Sequence, residues 1–182
     1  MRSIVLGVAM SALASMAVAS PPQIKTPFSD DDLRPWTGPG PATVHGQAFL
    51  RTVGGDVKTC AGATVILFPL NAYGREILQI DQAGLEQSDN LDPRFATYLR
   101  TTTCDAQGNF SFTSLPTGAW GIETNVSWAI PAMPGDEPGP LTALLMGRPI
   151  KSEETQGGTM VKEFVASAGD NTVLLTQADR TR

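Results

Sequence analysis

The stretch Thr101–Trp128, TTTCDAQGNFSFTSLPTGAWGIETNVSW, predicts two β-strands joined by tight turns. Asp105 and Gly108 form a D-x-x-G pattern, in which Asp suits the first position of a type I turn and Gly tolerates a positive φ. Phe110 and Phe112 then alternate with polar residues, as in a half-buried strand. A second turn at L-P-T-G leads into the next alternating strand. The stretch therefore indicates an all-β fold.

The alternating strand from Trp120 to Trp128 shows which side chains face the core. One face is apolar apart from a single Thr and the other is polar or Gly, so we place Trp120 and Trp128 in the core. Ala63–Phe68 is almost wholly apolar, as expected of a strand inside a sandwich. With Phe164 and Val173–Leu175 as further strands, the pattern predicts an antiparallel Greek-key-type β-sandwich of about seven strands.

The same residues carry a family resemblance. The pattern D-x-x-G-x-F-x-F-x-x-L-P-x-G, followed by an aromatic residue and an alternating strand, resembles the carboxypeptidase regulatory-like domain. Val44–Ala48 and Ala61–Pro69 resemble the first two strands of that family, and Asn171–Thr176 resembles its closing strand. Ala48 stands where the family usually has Val. The resemblance implies a transthyretin-like (prealbumin-like) β-sandwich.

The N-terminus predicts export. Arg2, the apolar run Ile4–Ala17 and the A-x-A pattern Ala17–Ala19 are typical of a secretory signal peptide over residues 1–19. The alternative is a membrane anchor, which needs an apolar run of about 20 residues. We therefore expect a periplasmic or secreted protein with no membrane span after cleavage.

The rest of the chain is expected to be one domain with a leader. Residues 20–41 are rich in Pro and predict a solvated tether. Within this leader, Asp30–Asp32 could offer carboxylates to calcium, but three adjacent acids lack the ligand spacing of a calcium loop. We place the sandwich domain at 42–178 and a short tail at 179–182. No metal site or cofactor is predicted.

A disulfide bond is predicted between the two cysteines of the chain. Cys60 lies just before the second predicted strand, and Cys104 lies just before the D-x-x-G turn; exported proteins use such pairs as bridges. On the loop-entropy model the bridge would stabilise the fold by roughly 4 kcal/mol. The alternative, a redox-active thiol pair, needs a low-pKa thiolate in a C-x-x-C or helix N-terminal setting, and the sequence shows neither.

Two segments interrupt the strand pattern. The insertion 70–100 contains a good helix start, with Asp92 as N-cap and Pro93 at the first helical position, and Phe95 and Leu99 share a face. We expect a short helix that caps one end of the sandwich, either as a plug for the core or as a partner groove.

The second interruption is 131–158, which is rich in Pro and Gly. It contains an apolar island at Leu141–Met146. The island could dock on the domain itself or on a partner, and both alternatives stay open.

The residue inventory argues against catalysis and against nucleic-acid binding. The net charge is −5 and no run of Lys or Arg forms a phosphate track. His45 is the single histidine and lies in a predicted strand, so neither a Ser-His-Asp triad nor a zinc site is indicated. Asp105 and Glu123 fit a turn and a solvated strand face better than the carboxylate pair of a glycosidase. We expect no enzymatic activity.

Two functional hypotheses follow. The first is a non-catalytic interaction or structural module of the cell envelope that binds an envelope protein through the insertion or a strand edge. The alternative is a glycan-binding module that binds polysaccharide by stacking on exposed aromatic rings. Its candidate stacking residues are Trp36, Tyr73 and Tyr98. Burial of Tyr73 and Tyr98 would remove that platform.

Overall fold

A computed structural model describes residues 22–85, 90–131 and 153–181 of the chain. The predicted signal peptide and the island Leu141–Met146 lie outside the described residues. In the described ranges the chain forms eight β-strands: β1 Ala42–Arg51, β2 Val57–Thr59, β3 Thr64–Pro69, β4 Arg100–Thr103, β5 Asn109–Leu115, β6 Gly118–Pro131, β7 Glu153–Ala166 and β8 Gly169–Leu175. Two α-helices and three 3₁₀ helices accompany them: α1 Asp30–Leu33, α2 Ala72–Gln82, and 3₁₀ turns at Arg34–Trp36, Pro93–Tyr98 and Gln177–Asp179.

The strands form two sheets that pack face to face. In the first sheet β1 is central and pairs with β2 and β5 antiparallel and with β8 in parallel. The second sheet has the order β4-β3-β6-β7 and is antiparallel throughout. The predicted all-β sandwich is confirmed. The parallel β1–β8 pair was not predicted, and it arises because the chain changes sheets between β7 and β8.

The core lies between the inner faces of the two sheets. Val44 of β1, Val65 of β3 and Met160 of β7 are fully buried there, as are Trp120 and Ile122 of β6. The buried Trp120 indole Nε1–H donates a hydrogen bond to the Pro116 carbonyl at 3.0 Å, so its polar atom is satisfied. The prediction that Trp120 belongs to the core is confirmed.

The predicted D-x-x-G turn joins β4 to β5. The Asp105 carboxylate accepts the backbone N–H groups of Gln107 at 2.9 Å and Asn109 at 2.8 Å. Gly108 has a φ of 78°, and a Cβ at this position would lie 2.7 Å from the Thr59 Cβ. Gly108 is therefore required both by the turn geometry and by the close approach of β2.

The predicted disulfide bond between Cys60 and Cys104 is present. It links the β2–β3 connection to the β4–β5 connection, and both residues are buried in the sandwich core. The disulfide bond therefore links two connections that each run between the sheets, beside the D-x-x-G turn.

A layer of helical segments covers part of the outer face of the second sheet. Phe68 of β3 and Val161 of β7 point away from the sandwich core and contact this layer. They belong to a second hydrophobic cluster, here called the outer cluster: Leu33, Phe68, Leu70, Tyr73, Leu78, Phe95 and Val161. The predicted helix start at Asp92 and Pro93 is confirmed, as a 3₁₀ helix. The prediction that it caps one end of the sandwich is wrong, because outward-facing apolar side chains draw the insertion onto the sheet face.

The leader is part of this layer, so the prediction of a solvated tether is wrong for the described residues 22–41. The Leu33 side chain is 0% exposed, and the Phe28 ring meets the Tyr73 ring edge to face at 5.4 Å. The Trp36 indole Nε1–H donates to the Ala119 carbonyl at 3.0 Å. Pro-rich composition predicts disorder only where apolar anchors are lacking, and these three aromatic or aliphatic residues supply them.

The strand pattern extends further than predicted in the second interrupted segment. β6 continues to Pro131 and β7 begins at Glu153, so residues 153–158 are strand despite Gly157 and Gly158. The described part of the chain contains no helix with the length and apolar character needed to cross a membrane.

Candidate functional site

The three aromatic residues predicted to stack on sugars do not form one platform. Tyr73 is 2% exposed, and its hydroxyl accepts the Asp92 backbone N–H at 2.7 Å. The prediction is therefore wrong for Tyr73, because the insertion packs its ring inside the outer cluster. Tyr98 is half-buried and donates its hydroxyl proton to Asp30 at 2.7 Å. Trp36 is also half-buried, and it packs against the sandwich core and not against the outer cluster.

A different aromatic residue, Trp128, lines a large cleft. Trp128 of β6 packs against the sandwich core but is only half-buried, so its prediction as a core residue is only partly right. It lines a cleft of about 740 Å³, and the other cleft residues are mostly polar. Side chains able to bond a ligand there include Arg51, Asn125, Ser127, Gln156, Gln177 and Arg180.

The length of the β6–β7 hairpin explains why Trp128 is accessible. β6 pairs with β3 only as far as Thr124, and beyond that residue it pairs with β7 alone. Trp128, opposite Gln156 on β7, therefore lies on a two-stranded extension past the end of β3. The facing wall comes from Arg51–Val53, where β1 ends. Sequence alternation placed Trp128 on the correct face, but it carries no information on where the partner strands stop.

Two glycines of β7 make room for an arginine at the edge of the cleft. Gly157 has a φ of 127°, and a Cβ there would lie 2.0 Å from the Val126 carbonyl oxygen. A Cβ on Gly158 would lie 2.6 Å from Nε of Arg180. The Arg180 Nη2 donates a hydrogen bond to the Gly157 carbonyl. The C-terminal segment therefore lays the Arg180 guanidinium along β7, beside the cleft.

The cleft is basic although the chain is acidic. Arg51 and Arg180 line it, and none of the described residues that line it carries a carboxylate, whereas the chain has a net charge of −5. Asp179 is next to Arg180 in sequence but is turned away: it forms an ion pair with Lys162 at 3.2 Å and accepts the Thr176 N–H at 2.9 Å. Charges of both signs occur in two adjoining grooves: Asp56 and Lys58 line the one that shares Trp128 with the cleft, and Lys162, Glu163 and Asp179 line the one that shares Arg180.

The single histidine lies in a separate groove. His45 is exposed on β1, Ser111 of β5 is its cross-strand partner, and Asp105 lines the same groove. The Asp105 carboxylate is occupied by the amides of its turn, and hydrogen bonds from Asn109 and the turn N–H groups lower its pKa. Among the described residues no hydrogen bond joins His45 to Ser111 or Asp105, so the base-orienting contact of a triad is missing.

Two carboxyl groups meet beneath α2. Burial raises the pKa of Asp81 to about 6, with a smaller contribution from the negative charge of Glu123. Burial also raises the pKa of Glu123. The prediction that Glu123 is solvated is therefore wrong: it lies on the outer face of β6, in the part of the sheet that α2 covers. Neither residue lines the Trp128 cleft.

Two carboxylates of the acidic triplet, those of Asp30 and Asp31, form ion pairs within the chain. Asp30 pairs with Arg94 at 3.0 Å, and Asp31 pairs with Arg34 at 2.7 Å. In residues 22–85, 90–131 and 153–181, no three His, Cys, Asp or Glu side chains are grouped so that they could hold a metal ion.

Comparison with known proteins identifies the fold only. No family model matches the chain and no curated protein matches it, so membership of the carboxypeptidase regulatory-like family stays a prediction. The structure is similar to the crystal structure of a "putative carbohydrate binding protein" from Pseudomonas aeruginosa, with a TM-score of 0.61 and 23% sequence identity over 87% of this chain and 100% of that chain. At this level of identity the similarity shows a shared fold.

Proposed function

We propose that the protein is a non-catalytic carbohydrate-binding module that works outside the cytoplasm, with Trp128 as its stacking residue. The single observation that carries the proposal is a half-buried tryptophan in a polar cleft of about 740 Å³. The name of the similar Pseudomonas aeruginosa protein supports it. This is the glycan-binding alternative predicted from the sequence, with Trp128 as the stacking residue in place of Trp36, Tyr73 and Tyr98.

The cleft has the composition that sugar recognition needs. A pyranose ring presents an apolar face of C–H groups and a rim of hydroxyl groups, so it is bound by an aromatic ring together with side chains that donate and accept hydrogen bonds. Trp128 supplies the aromatic ring, and Asn125, Gln156 and Gln177 supply amides that do both. The volume lies within the range of about 300–1,000 Å³ that is typical of ligand sites.

The arrangement of titratable groups supports binding without catalysis. The carboxylates with raised pKa, Asp81 and Glu123, lie under α2 and apart from the cleft. His45 lies in another groove and has no orienting hydrogen bond in the described structure. A glycosidase needs two carboxyl groups at the scissile bond, and the described cleft lining has none.

The proposed location outside the cytoplasm is supported by the disulfide bond. Bridges such as Cys60–Cys104 persist in oxidising compartments, and the predicted signal peptide agrees with such a compartment. The partner we propose is therefore a polysaccharide of the envelope or of the surroundings. Within residues 22–85, 90–131 and 153–181, no comparably specific surface supports the protein-interaction hypothesis.

Titration calorimetry with a panel of soluble glycans tests this function. The panel contains neutral xyloglucan, galactomannan and dextran, and acidic polygalacturonate, polymannuronate and dextran sulfate. We expect Trp128→Ala to weaken binding of the bound glycan by tenfold or more, because stacking on one aromatic ring contributes about 1–3 kcal/mol by analogy with base stacking, whereas Trp128→Phe keeps most of the affinity.

Tyr98→Ala is the matched control, since it removes a half-buried ring on the leader side of the molecule. Loss of binding in Tyr98→Ala but not in Trp128→Ala would move the site to the leader. Absence of binding to every member of the panel would overturn the proposed function. Circular dichroism of each variant separates loss of binding from loss of fold.

A further inference from the structure

We infer that the glycan bound in the Trp128 cleft is acidic, that is, a polysaccharide whose sugar units carry carboxylate or sulfate groups. The inference rests on the proposed function and narrows it to one ligand class. The observation behind it is the charge of the cleft, which is opposite to the charge of the chain.

The charge of the cleft differs in sign from that of the whole chain. The whole sequence has 18 acidic and 13 basic residues, so a cleft lined at random would carry at least as many carboxylates as cations. The described lining instead holds Arg51 and Arg180 and no carboxylate. Clefts lined by charges of one sign concentrate ligands of the opposite sign. An anionic glycan is therefore attracted to this cleft even though the molecule as a whole repels anions.

The carboxylate nearest to Arg180 in sequence, that of Asp179, does not line the cleft. Asp179 lies between Gln177 and Arg180, both of which line the cleft, yet its carboxylate faces Lys162 and the backbone N–H of Thr176. The 3₁₀ turn Gln177–Asp179 produces this orientation through a capping box. As a result, Asp179 is paired with Lys162 in an adjoining groove, and its carboxylate does not line the cleft although Arg180 lines both.

Arg180 is held beside the cleft with most of its hydrogen-bond donors unused by β7. Its guanidinium has five N–H donors, and the contact with the Gly157 carbonyl occupies one Nη2 donor. Gly158 has no side chain that would displace it. The arginine is held in position and retains donors in the fork geometry that binds two oxygens of one oxyanion. Lysine residues would give charge without this geometry.

Each arginine also lies beside groups suited to the neutral part of a sugar. Arg51 precedes Thr52 in the wall that faces Trp128, and Arg180 adjoins the strand that carries Gln156. A pyranose stacked on Trp128 would thus lie in a cleft with two cationic groups, one from the end of β1 and one from the C-terminal segment. Two cations from separate segments match a ligand with several negative groups better than one with a single terminal charge.

Matched glycan pairs test the inference. Polygalacturonate and polymannuronate are each compared with their carboxyl-reduced forms, which have the same linkages without the charge, and dextran sulfate is compared with dextran. We expect the protein to bind at least one acidic member tenfold or more tightly than its neutral partner. Its affinity should fall as salt is raised, because the contacting arginines are partly exposed. The carboxylate and sulfate pairs distinguish the two anionic groups.

Substitutions of the two cleft arginines test whether the preference for acidic glycans arises in the cleft. Arg51→Gln and Arg180→Gln should each reduce the acidic-over-neutral affinity ratio by threefold or more. Arg51→Lys should lose less of the ratio than Arg51→Gln, which checks that charge rather than folding is responsible. Arg34→Gln is the control, since it removes the same charge from the exposed face of the leader and should leave the ratio unchanged.

The outcomes separate the two proposals. Equal affinity for the acidic and neutral members of every pair overturns the inference and leaves the proposed function intact. A preference that Arg51→Gln and Arg180→Gln do not alter, or that Arg34→Gln alters equally, also overturns it. If no glycan binds, the proposed function fails and the inference fails with it.

Discussion

The carboxylate of Asp81 makes the stability of this fold depend on pH. Its carboxylate lies on α2 against the second sheet, and its Oδ2 has no hydrogen-bond partner among the described residues. Burial raises its pKa from 3.8 to about 6. Because the pKa in the folded state is above the unfolded value, the protonated form favours folding. The cost of the charged form is absent below pH 3.8 and fully present above about pH 6.

We predict that Asp81→Asn stabilises the protein above pH 6 and has no such effect at pH 3.5. A shift of two pKa units corresponds to roughly 3 kcal/mol, and partial exposure of the side chain reduces the expected gain to about 1 kcal/mol. Urea denaturation of both proteins at pH 3.5 and pH 7.5 measures it. Asp56→Asn in an exposed turn is the control. An equal effect of Asp81→Asn at both pH values would contradict the assignment.

Strand β7 and the C-terminal segment together fix the position of the Arg180 side chain. We predict that Gly158→Ala weakens binding of the acidic glycan by about threefold to tenfold, while affinity for a neutral glycan changes less than twofold. The added Cβ would lie 2.6 Å from the Arg180 Nε, and the flexible side chain moves away more easily than the strand. The expected loss of stability is therefore below about 1 kcal/mol.

The control for this prediction is Gly54→Ala in the β1–β2 turn, where the added Cβ would have its closest neighbour at 3.8 Å. Calorimetric titration of both variants with polygalacturonate and its carboxyl-reduced form measures the effect. A large loss of affinity for both glycans in Gly158→Ala would indicate a distorted cleft rather than a displaced arginine.

The elements also show what the sequence can and cannot predict. β5 and β6 were predictable because turn residues and period-two alternation are local signals. Helix α2 was missed although Asn71 caps its start and accepts the Gly74 N–H at 2.9 Å. Gly74 argues against a helix on propensity, but here it is needed, since a Cβ would lie 1.9 Å from the Pro69 carbonyl oxygen. That contact depends on tertiary structure, which local patterns do not record.

The same reasoning applies to the site. The composition of 20–41 predicted a tether because its anchors, Leu33 and Trp36 among them, are isolated in sequence and find their partners in the insertion and on the strands. Trp128 was placed on the core face of its strand, which is correct, but its exposure depends on where β3 ends. The fold and the disulfide were therefore predictable from local signals. The ligand cleft was not, because it forms where elements of different length meet.

For the whole molecule, β6 connects two regions with different roles. Its first residues lie under Trp36 and the leader, and Trp128 lies about 30 Å further along the strand at roughly 3.3 Å per residue. The outer cluster lies on the outer face of the second sheet, and none of its residues lines the cleft. Stability of the helical layer and affinity for the glycan should therefore be separable.

Leu33→Ala tests this separation. The side chain is 0% exposed in the outer cluster, so its truncation should lower the free energy of unfolding by about 2–4 kcal/mol. The calorimetric affinity for the glycan should stay within twofold, since the cleft is formed by the far end of the β6–β7 hairpin and the end of β1. Gln23→Ala, at an exposed position of the leader, is expected to change neither quantity. A fall in glycan affinity parallel to the fall in stability would mean that the leader supports the cleft, and the two ends of β6 would then have to be treated as one unit.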